Sequence, residues 1–208
     1  MTAFRAQKQN GDGDGNGPAP NHVVHFYDER EAMLTNAAAH LAGGLLRGAP
    51  ALAVIASDRV DVLRNKLGQM GVDVARAAAA RQLVIHDAEA TLAELLVDDM
   101  PDERRFRNVI GGAVSALADT WRPLRLYAYG DMVDVLLTRG QRDAALELER
   151  LWNELGHREH FSLFCAYDAR SFASENDRST FDAVCGAHES IVPMRPPQRR
   201  PLSTRSQA

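Results

Sequence analysis

Apolar residues occur along this chain in short continuous runs, which alternate with stretches where apolar residues recur every three or four positions. A continuous run bounded by turn residues is typical of a strand buried on both faces, whereas the wider spacing predicts an amphipathic helix. The runs predict strands at 22–27, 51–56, 82–86, 124–129 and 161–167. Strands that alternate with helices in this way predict an α/β fold with three layers, a mostly parallel sheet covered by helices on both faces.

The helical spacing also predicts where the domain ends. Helices are expected at 29–47, 57–70, from 88 onward, 103–118, 133–138, 143–155 and within about 177–192. Residues 1–20 are rich in Gly, Asp, Asn and Pro, and residues 193–208 are rich in Arg and Pro. Such segments bury too little apolar surface to offset the entropy of ordering, so both are expected to be disordered tails. The domain is therefore expected to span residues 21–192.

Composition and charge exclude several classes of protein. Nucleic-acid binding favours a basic face, and the net charge of -4 gives no electrostatic reason to expect one. Direct nucleic-acid binding is therefore not expected. No apolar run approaches the ~18 residues of a membrane span, and the N-terminus lacks the apolar core of a signal peptide. We therefore expect a cytoplasmic protein without membrane contact. In that compartment Cys165 and Cys185 are expected to be free thiols.

The common catalytic motifs are missing from the sequence. The first strand is followed by the bulky acidic turn Tyr27-Asp28-Glu29-Arg30-Glu31 instead of a glycine-rich phosphate loop, and neither Lys8 nor Lys66 follows a predicted strand. A triphosphate held in the usual way is therefore excluded, and we expect no catalytic residue and no cofactor. Cys185-x-x-His188 has a spacing seen in metal sites. Two ligands do not make a zinc site, so no metal is expected.

An acidic residue lies at the end of each predicted strand. These residues are Asp28, Asp58, Asp87, Asp131 and Asp168. Ligands of open α/β sheets bind in the crevice beyond the carboxyl ends of the strands, where these acids would form a negative rim. Such a rim disfavours phosphate and suits a cation, an amine or a neutral polar ligand. The alternative for each acid is an ordinary helix N-cap, which is the stronger interpretation for Asp58 and Asp87.

Alternation along the strands selects the side chains that could join Asp131 in one pocket. His25 and Tyr27 share one face of the first strand, Tyr127 and Tyr129 share one in the fourth, and Cys165 and Tyr167 share one in the fifth. The predicted ligand-binding residues are His25, Tyr27, Asp28, Tyr129, Asp131, Cys165 and Tyr167. The alternative is that His25, Tyr127 and Cys165 are core residues with locally satisfied polar atoms.

Several segments together resemble one family of domains. They are V-V-H-F-Y-D (23–28), M-P-D-x-x-R-F (100–106), Y-G-D-M (129–132), L-E-R-L-W-N-E-L (148–155), F-S-L-F-C-A-Y (161–167) and F-D-A-V-C-G-A-H-E-S-I-V-P (181–193). In order and spacing they resemble the MEDS family, the methanogen/methylotroph sensory domain, which is related in fold to RecA/KaiC-like ATPases. The resemblance covers roughly residues 22–193. Asp131 departs from the pattern, because Glu is usual at that position of the family motif.

The resemblance implies a sensory or regulatory module that detects small organic compounds and has a degenerate nucleotide-binding loop. Family members occur alone or joined to histidine kinases and DNA-binding domains. The expected partners are thus a small organic ligand and a signalling protein, such as a histidine kinase or transcription regulator. A homo-oligomer is also possible, since RecA-like relatives often assemble.

Three functions remain open at this stage. The leading hypothesis is a non-enzymatic sensor whose ligand changes how a helical surface meets a signalling partner. The second is a divergent nucleotide-binding ATPase or kinase-like protein that uses backbone amides without a Walker lysine. The third is a protein-interaction adaptor in which the pocket is vestigial.

Overall fold

The structure is a computed structural model and describes residues 22–174 and 177–192, so both predicted tails lie outside the described residues. The strands are β1 (His22–Tyr27), β2 (Ala51–Ile55), β3 (Leu83–Asp87), β4 (Leu96–Val97), β5 (Met100–Pro101), β6 (Leu126–Gly130), β7 (Phe161–Asp168) and β8 (Ser190–Val192). The helices are α1 (Arg30–Leu45), α2 (Val60–Gln69), α3 (Val74–Ala79), α4 (Ala88–Leu95), α5 (Glu103–Phe106), α6 (Gly112–Thr120), α7 (Met132–Thr138), α8 (Arg142–Gly156) and α9 (Arg178–Ala187). Short 3-10 helices lie at Ser57–Arg59 and Ala169–Phe172.

Six strands form one sheet in the order β3-β2-β6-β7-β1-β8, and every neighbouring pair in it is parallel. All five residues of β2 are buried, as expected of a central strand that is covered on both faces. The register of β1 against β7 pairs Val24 with Cys165 and Tyr27 with Asp168. The predicted three-layer α/β fold is confirmed.

Helices cover the two faces of the sheet with two separate apolar cores. On one face α1, α2 and α3 pack against the sheet through Met33, Leu41, Leu63 and other buried side chains. On the opposite face α4 through α9 form the larger core, which contains Trp152. We call these the α1 face and the α8 face. None of the described helices is long and apolar enough to cross a membrane.

The region around Pro101 contains a turn as well as the expected break in the helix. β4 and β5 pair antiparallel, and the two residues that join them, Asp98 and Asp99, have φ of 49° and 62°. Aspartate adopts this left-handed conformation more readily than most residues, which suits a tight two-residue turn. The helix that follows is continuous from α5 to α6 and contains one π-helical stretch at Arg107–Gly111.

The end of the domain differs from the sequence prediction. The terminal helix stops at Ala187 instead of continuing to about residue 192, and the chain then forms β8 at the edge of the sheet. His188 already has extended backbone, with φ of -115° and ψ of 144°. Pairing of β8 with β1 gives the polar backbone of this segment hydrogen-bond partners, which a three-residue strand cannot provide by itself. Helix α3 was likewise not predicted.

Candidate functional site

The acids of the predicted negative rim fall into capping, exposed and buried groups. Asp87 is the N-cap of α4, because its Oδ1 accepts from Ala90 N at 2.7 Å. The N-cap role favoured for Asp58 is wrong, because neither the 3-10 helix that contains it nor α2 has a side-chain cap. Asp58 is exposed and lies 3.5 Å from Arg30 Nη1, and Asp28 is exposed as well. Asp131 differs from these acids because it is completely buried. Of the acids predicted at the carboxyl edge of the sheet, Asp131 is therefore the one whose pKa burial raises strongly.

Asp131 directly follows β6 and faces the ends of the neighbouring strands. Its Oδ2 accepts from Arg59 Nη1 at 2.8 Å and from the backbone N–H of Ala56 at 3.4 Å. Burial raises the pKa of the Asp131 carboxyl to about 7, although Arg59 and the Ala56 N–H act to lower it. The group thus titrates near neutral pH, which is unusual for an aspartate.

Asp134 is a second buried acid, and the sequence analysis did not identify it. It lies three residues after Asp131 in α7, so that the two side chains project from the same side of the helix. The Tyr27 hydroxyl donates to Asp134 Oδ2 at 2.7 Å, and the backbone N–H of Asp168 donates to Asp134 Oδ1 at 2.8 Å. These bonds connect the ends of β1 and β7 to α7. The signal in the sequence was the D-x-x-D spacing directly after a strand.

Arg59 supplies the positive charge between the two acids and was also missed. Its side chain is 11% exposed, and Nη1 lies 2.8 Å from Asp131 Oδ2 and 3.6 Å from Asp134 Oδ2. It enters from the short 3-10 helix that follows β2. A single arginine in an otherwise ordinary helix start gives no pattern from which this role could be predicted.

Two buried polar atoms in this cluster have no hydrogen-bond partner among the described residues. They are Asp131 Oδ1, an acceptor, and Arg59 Nε, a donor. An unpaired buried polar group costs about 1–3 kcal/mol, so such atoms are uncommon in folded proteins. An acceptor and a donor without hydrogen bonds at the same edge of the sheet are suited to a small molecule that has both functions.

Tyr27 and Tyr129 lie on the α1 face beside this cluster. Tyr129 is completely buried, and its hydroxyl donates to Met33 Sδ at 2.9 Å. Burial raises the pKa of both phenols above the ordinary value, so both are neutral. Tyr27 contacts the acids directly, whereas Tyr129 is already satisfied within the core.

The predicted convergence of Cys165 and Tyr167 with this group is wrong. The β1–β7 register pairs Tyr27 with Asp168, which places Cys165 and Tyr167 on the other side of the sheet, in the core of the α8 face. There the Tyr167 hydroxyl donates to Glu149 Oε1 at 2.6 Å. Side chains alternate between the two faces of a sheet. A shift of one residue between β1 and β7 therefore decides on which face the Cys165 and Tyr167 side chains lie.

His25 lies on the α1 face in the middle of β1, away from the strand end. Its Nε2 is 3.2 Å from Asn36 Nδ2, and its ring packs 6.0 Å from that of Phe164. Burial lowers the pKa of the imidazole, which therefore stays neutral. Of the predicted ligand-binding residues, the structure brings Tyr27, Tyr129 and Asp131 together.

Many solved structures resemble this fold, among them two from archaea. An uncharacterized protein PH0321 from Pyrococcus horikoshii, in complex with an unknown peptide, matches with a TM-score of 0.62 and 11% identity. That match covers 84% of this chain and 77% of the archaeal one. The KaiC-like protein PH0186 from Pyrococcus horikoshii OT3 matches with a TM-score of 0.51 and 18% identity, over 73% of this chain and 65% of that chain. At these identities the similarity establishes a shared KaiC-like fold.

A search among curated proteins finds no match. A family model, in contrast, matches residues 21–189, which are nearly all of the described chain. The chain is a member of the MEDS family, the methanogen/methylotroph, DcmR sensory domain.

Proposed function

We propose that this sensory domain binds a small polar organic molecule at the carboxyl ends of β1 and β6, between Asp131 and Arg59. The observation that supports this most directly is the pair of buried atoms without a hydrogen bond, Asp131 Oδ1 and Arg59 Nε. Arg59 Nε has an ion-pair contact of 3.9 Å with Asp58 Oδ1, which is too long for a hydrogen bond. A ligand that presents a hydroxyl or N–H to the carboxylate and an oxygen to the guanidinium would satisfy both atoms. Short alcohols and amides have this combination.

The charges around the crevice favour a neutral or cationic ligand. Two carboxyl groups, Asp131 and Asp134, face one guanidinium, so a phosphate would meet a negative environment. The connection from β1 to α1 consists of Asp28 and Glu29, and Glu29 at the start of α1 makes no side-chain cap. This short acidic turn has no glycine to let a backbone approach a phosphate. A nucleotide is therefore the less favoured ligand.

The proposed signal starts when the ligand inserts between Asp131 and the Arg59 guanidinium and breaks their direct contact. Arg59 directly precedes α2, which packs on α1 through Leu63 and Leu67. A ligand that takes over the contacts of Arg59 with Asp131 would release the start of α2 and alter the outer surface of that helix. We propose that this surface meets a signalling protein, such as a histidine kinase or transcription regulator, in the cytoplasm.

The proposal is tested by isothermal titration of the full chain with short alcohols, primary amines and amides. At least one probe should bind, and Asp131→Asn should weaken its binding tenfold or more. The amide of asparagine is neutral and has one acceptor oxygen, whereas the carboxylate is anionic and has two. Asp61→Asn is the matched control, since that side chain is 91% exposed on α2 and should leave affinity unchanged. Equal affinity of the two variants for the probe would show that Asp131 does not contribute to binding.

The nucleotide alternative is tested in the same samples with ATP and Mg²⁺. Thermal stabilisation by ATP, or hydrolysis that is lost in Asp131→Asn, would favour a divergent ATPase over the sensor. Neither effect is expected, because the crevice offers carboxylates where a nucleotide site offers backbone N–H groups and a lysine.

A further inference from the structure

A second polar cluster lies on the α8 face, away from the proposed ligand site. It consists of His22 at the start of β1, Glu149 in α8, Cys165 in β7 and His188 directly after α9. One ligand atom from each of these residues lies within 4.8 Å of all the others. Residues far apart in the sequence thus present two imidazole nitrogens, a thiol and a carboxylate to one buried point.

The distances between these atoms match those between the ligands of a tetrahedral metal ion. His22 Nε2 is 3.3 Å from Cys165 Sγ and 3.3 Å from Glu149 Oε2, and His188 Nε2 is 3.5 Å from Glu149 Oε1. Cys165 Sγ lies 4.0 Å from Glu149 Oε2, and the largest separation within the cluster is no more than 4.8 Å. Zinc bonds of about 2.0–2.3 Å in a tetrahedron separate the ligand atoms by roughly 3.3–3.8 Å. Small shifts would therefore complete the coordination.

Both imidazoles are held with Nε2 facing the cluster. Asn153 Nδ2 donates to the Ala187 carbonyl at 3.0 Å, which turns Asn153 Oδ1 toward His22 Nδ1 at 2.8 Å. His22 must then carry its proton on Nδ1. His188 Nδ1 likewise donates to the Val184 carbonyl at 2.7 Å. A hydrogen bond from the second ring nitrogen to an oxygen is the usual arrangement of a metal-bound histidine.

His188 Nε2 has no hydrogen-bond partner among the described residues, although its side chain has no exposed surface. Its lone pair faces Glu149, and the His22 and His188 rings lie 4.0 Å apart. Two inward lone pairs beside a carboxyl group repel one another unless a proton or a cation lies between them. Positive charge is therefore favoured at the centre of the cluster, either as protons on Glu149 and Cys165 or as a bound cation.

The protonation states of these side chains are also compatible with an exchangeable metal site. Burial lowers the pKa of His188 to about 4 and also lowers that of His22, so both rings are neutral, as metal ligands must be. Burial raises the pKa of Glu149 and of Cys165, which favours their protonated forms. A divalent ion would displace one proton from each, and thiolate plus carboxylate would balance its charge. The Tyr167 hydroxyl would stay bonded to Glu149.

We propose that His22, Glu149, Cys165 and His188 bind one divalent transition-metal ion of the zinc type. Nitrogen, sulfur and carboxylate ligands in a tetrahedron suit Zn²⁺ and Co²⁺. The ion links the start of β1, the centre of β7 and helix α8 to the segment between α9 and β8. A surface groove of about 460 Å³ between α8 and α9 is lined by Glu149 and Asn153 and gives the ion a path to the site.

The test is cobalt binding by the full chain after removal of metal with a chelator. The wild type should take up one equivalent of Co²⁺ with a thiolate-to-cobalt charge-transfer band and the visible bands of a tetrahedral ion. Zn²⁺ should displace it and raise the Tm. Cys165→Ser should lose the charge-transfer band and at least tenfold in affinity. Cys185→Ser, which changes the other cysteine, should keep the charge-transfer band and the wild-type affinity for cobalt.

His188→Asn provides a second variant in case Cys165→Ser does not fold, as checked by circular dichroism. It should keep the charge-transfer band and weaken cobalt binding tenfold or more. A folded wild type without the charge-transfer band would overturn the proposal, as would a band lost in Cys185→Ser instead of Cys165→Ser. Asp131→Asn should bind cobalt like the wild type, so this result is independent of the proposed organic ligand.

Discussion

Arg59 and Asp131, which are separated by 72 residues in sequence, form a buried ion pair with a distance of 2.8 Å between Nη1 and Oδ2. The carboxylate has no exposed surface, and the guanidinium side chain is 11% exposed. The pair joins the start of α2 to the turn between β6 and α7. It is the central contact at the carboxyl edge of the sheet. Three predictions test this pair and its surroundings, and a fourth tests the packing of α1 on the sheet.

Removal of the guanidinium should strongly destabilise the domain. Arg59→Ala leaves Asp131 and Asp134 without their cation, and loss of one partner of a buried pair costs about 3–5 kcal/mol. We expect a loss of about 3 kcal/mol at pH 8, measured by urea unfolding. The loss should be smaller at pH 5, where Asp131 takes up a proton. Arg64→Ala is the control on the same helix and should change stability by less than about 0.5 kcal/mol, since Arg64 is 52% exposed.

The buried carboxyl of Asp131 should make stability fall as pH rises. Its pKa is about 7 in the folded state against 3.8 in the reference state, so the folded protein binds more protons between these values. At about 1.4 kcal/mol per pH unit, this contribution is on the order of 4 kcal/mol. It is fully present below pH 4 and is lost as pH rises to 7. Asp131→Asn should flatten this part of the profile; a variant with the wild-type slope would contradict the assignment.

The hydroxyl of Tyr27 should matter more than that of Tyr127. Tyr27→Phe removes a buried donor to a carboxylate, and we expect a loss of about 1.5–3 kcal/mol in the free energy of unfolding. Tyr127→Phe removes an exposed hydroxyl that accepts from Arg47, and it should cost less than about 0.5 kcal/mol. Equal losses in the two variants would mean that the bond between Tyr27 and Asp134 contributes little.

Two adjacent glycines of α1 should respond oppositely to alanine. A Cβ on Gly44 would collide with the ring of Tyr127 on β6, so Gly44→Ala should cost about 1–3 kcal/mol. A Cβ on Gly43 would meet nothing closer than Arg47 Nη2 at 3.8 Å. Gly43→Ala should therefore stabilise the domain by up to about 1 kcal/mol, because alanine has the higher helix propensity. Thermal unfolding of both variants distinguishes the effect of the close approach of Gly44 to Tyr127 from the effect of helix propensity.

Most of the fold could be predicted because central parallel strands are continuous apolar runs. The predicted strand at 51–56 and the observed Ala51–Ile55 differ by one residue. β8 was missed for the opposite reason, since three residues give no period and its pairing with β1 depends on the folded sheet. The break at Pro101 was visible, but the turn at Asp98 and Asp99 was not.

The site could be predicted only in part, because strand ends follow from the sequence whereas neighbours across the sheet do not. Asp131 was identified from its place after a strand. Arg59 contributes from a different connection, and no local pattern links the two residues. The place of Cys165 depended on the β1–β7 register. His188 was noticed together with Cys185, although its partners in space are Glu149 and His22.

In the proposed sensor, the Arg59 guanidinium competes with the ligand for Asp131 Oδ2, although its Nε then contacts the bound ligand. The ligand binds only to the fraction of molecules in which the guanidinium has left Asp131. Its apparent affinity is the intrinsic affinity multiplied by that fraction. Contacts that hold Arg59 in place, such as the one with Asp134, therefore set the concentration at which the domain responds. Changes at Asp134 can shift this detection threshold while the groups that recognise the ligand stay the same.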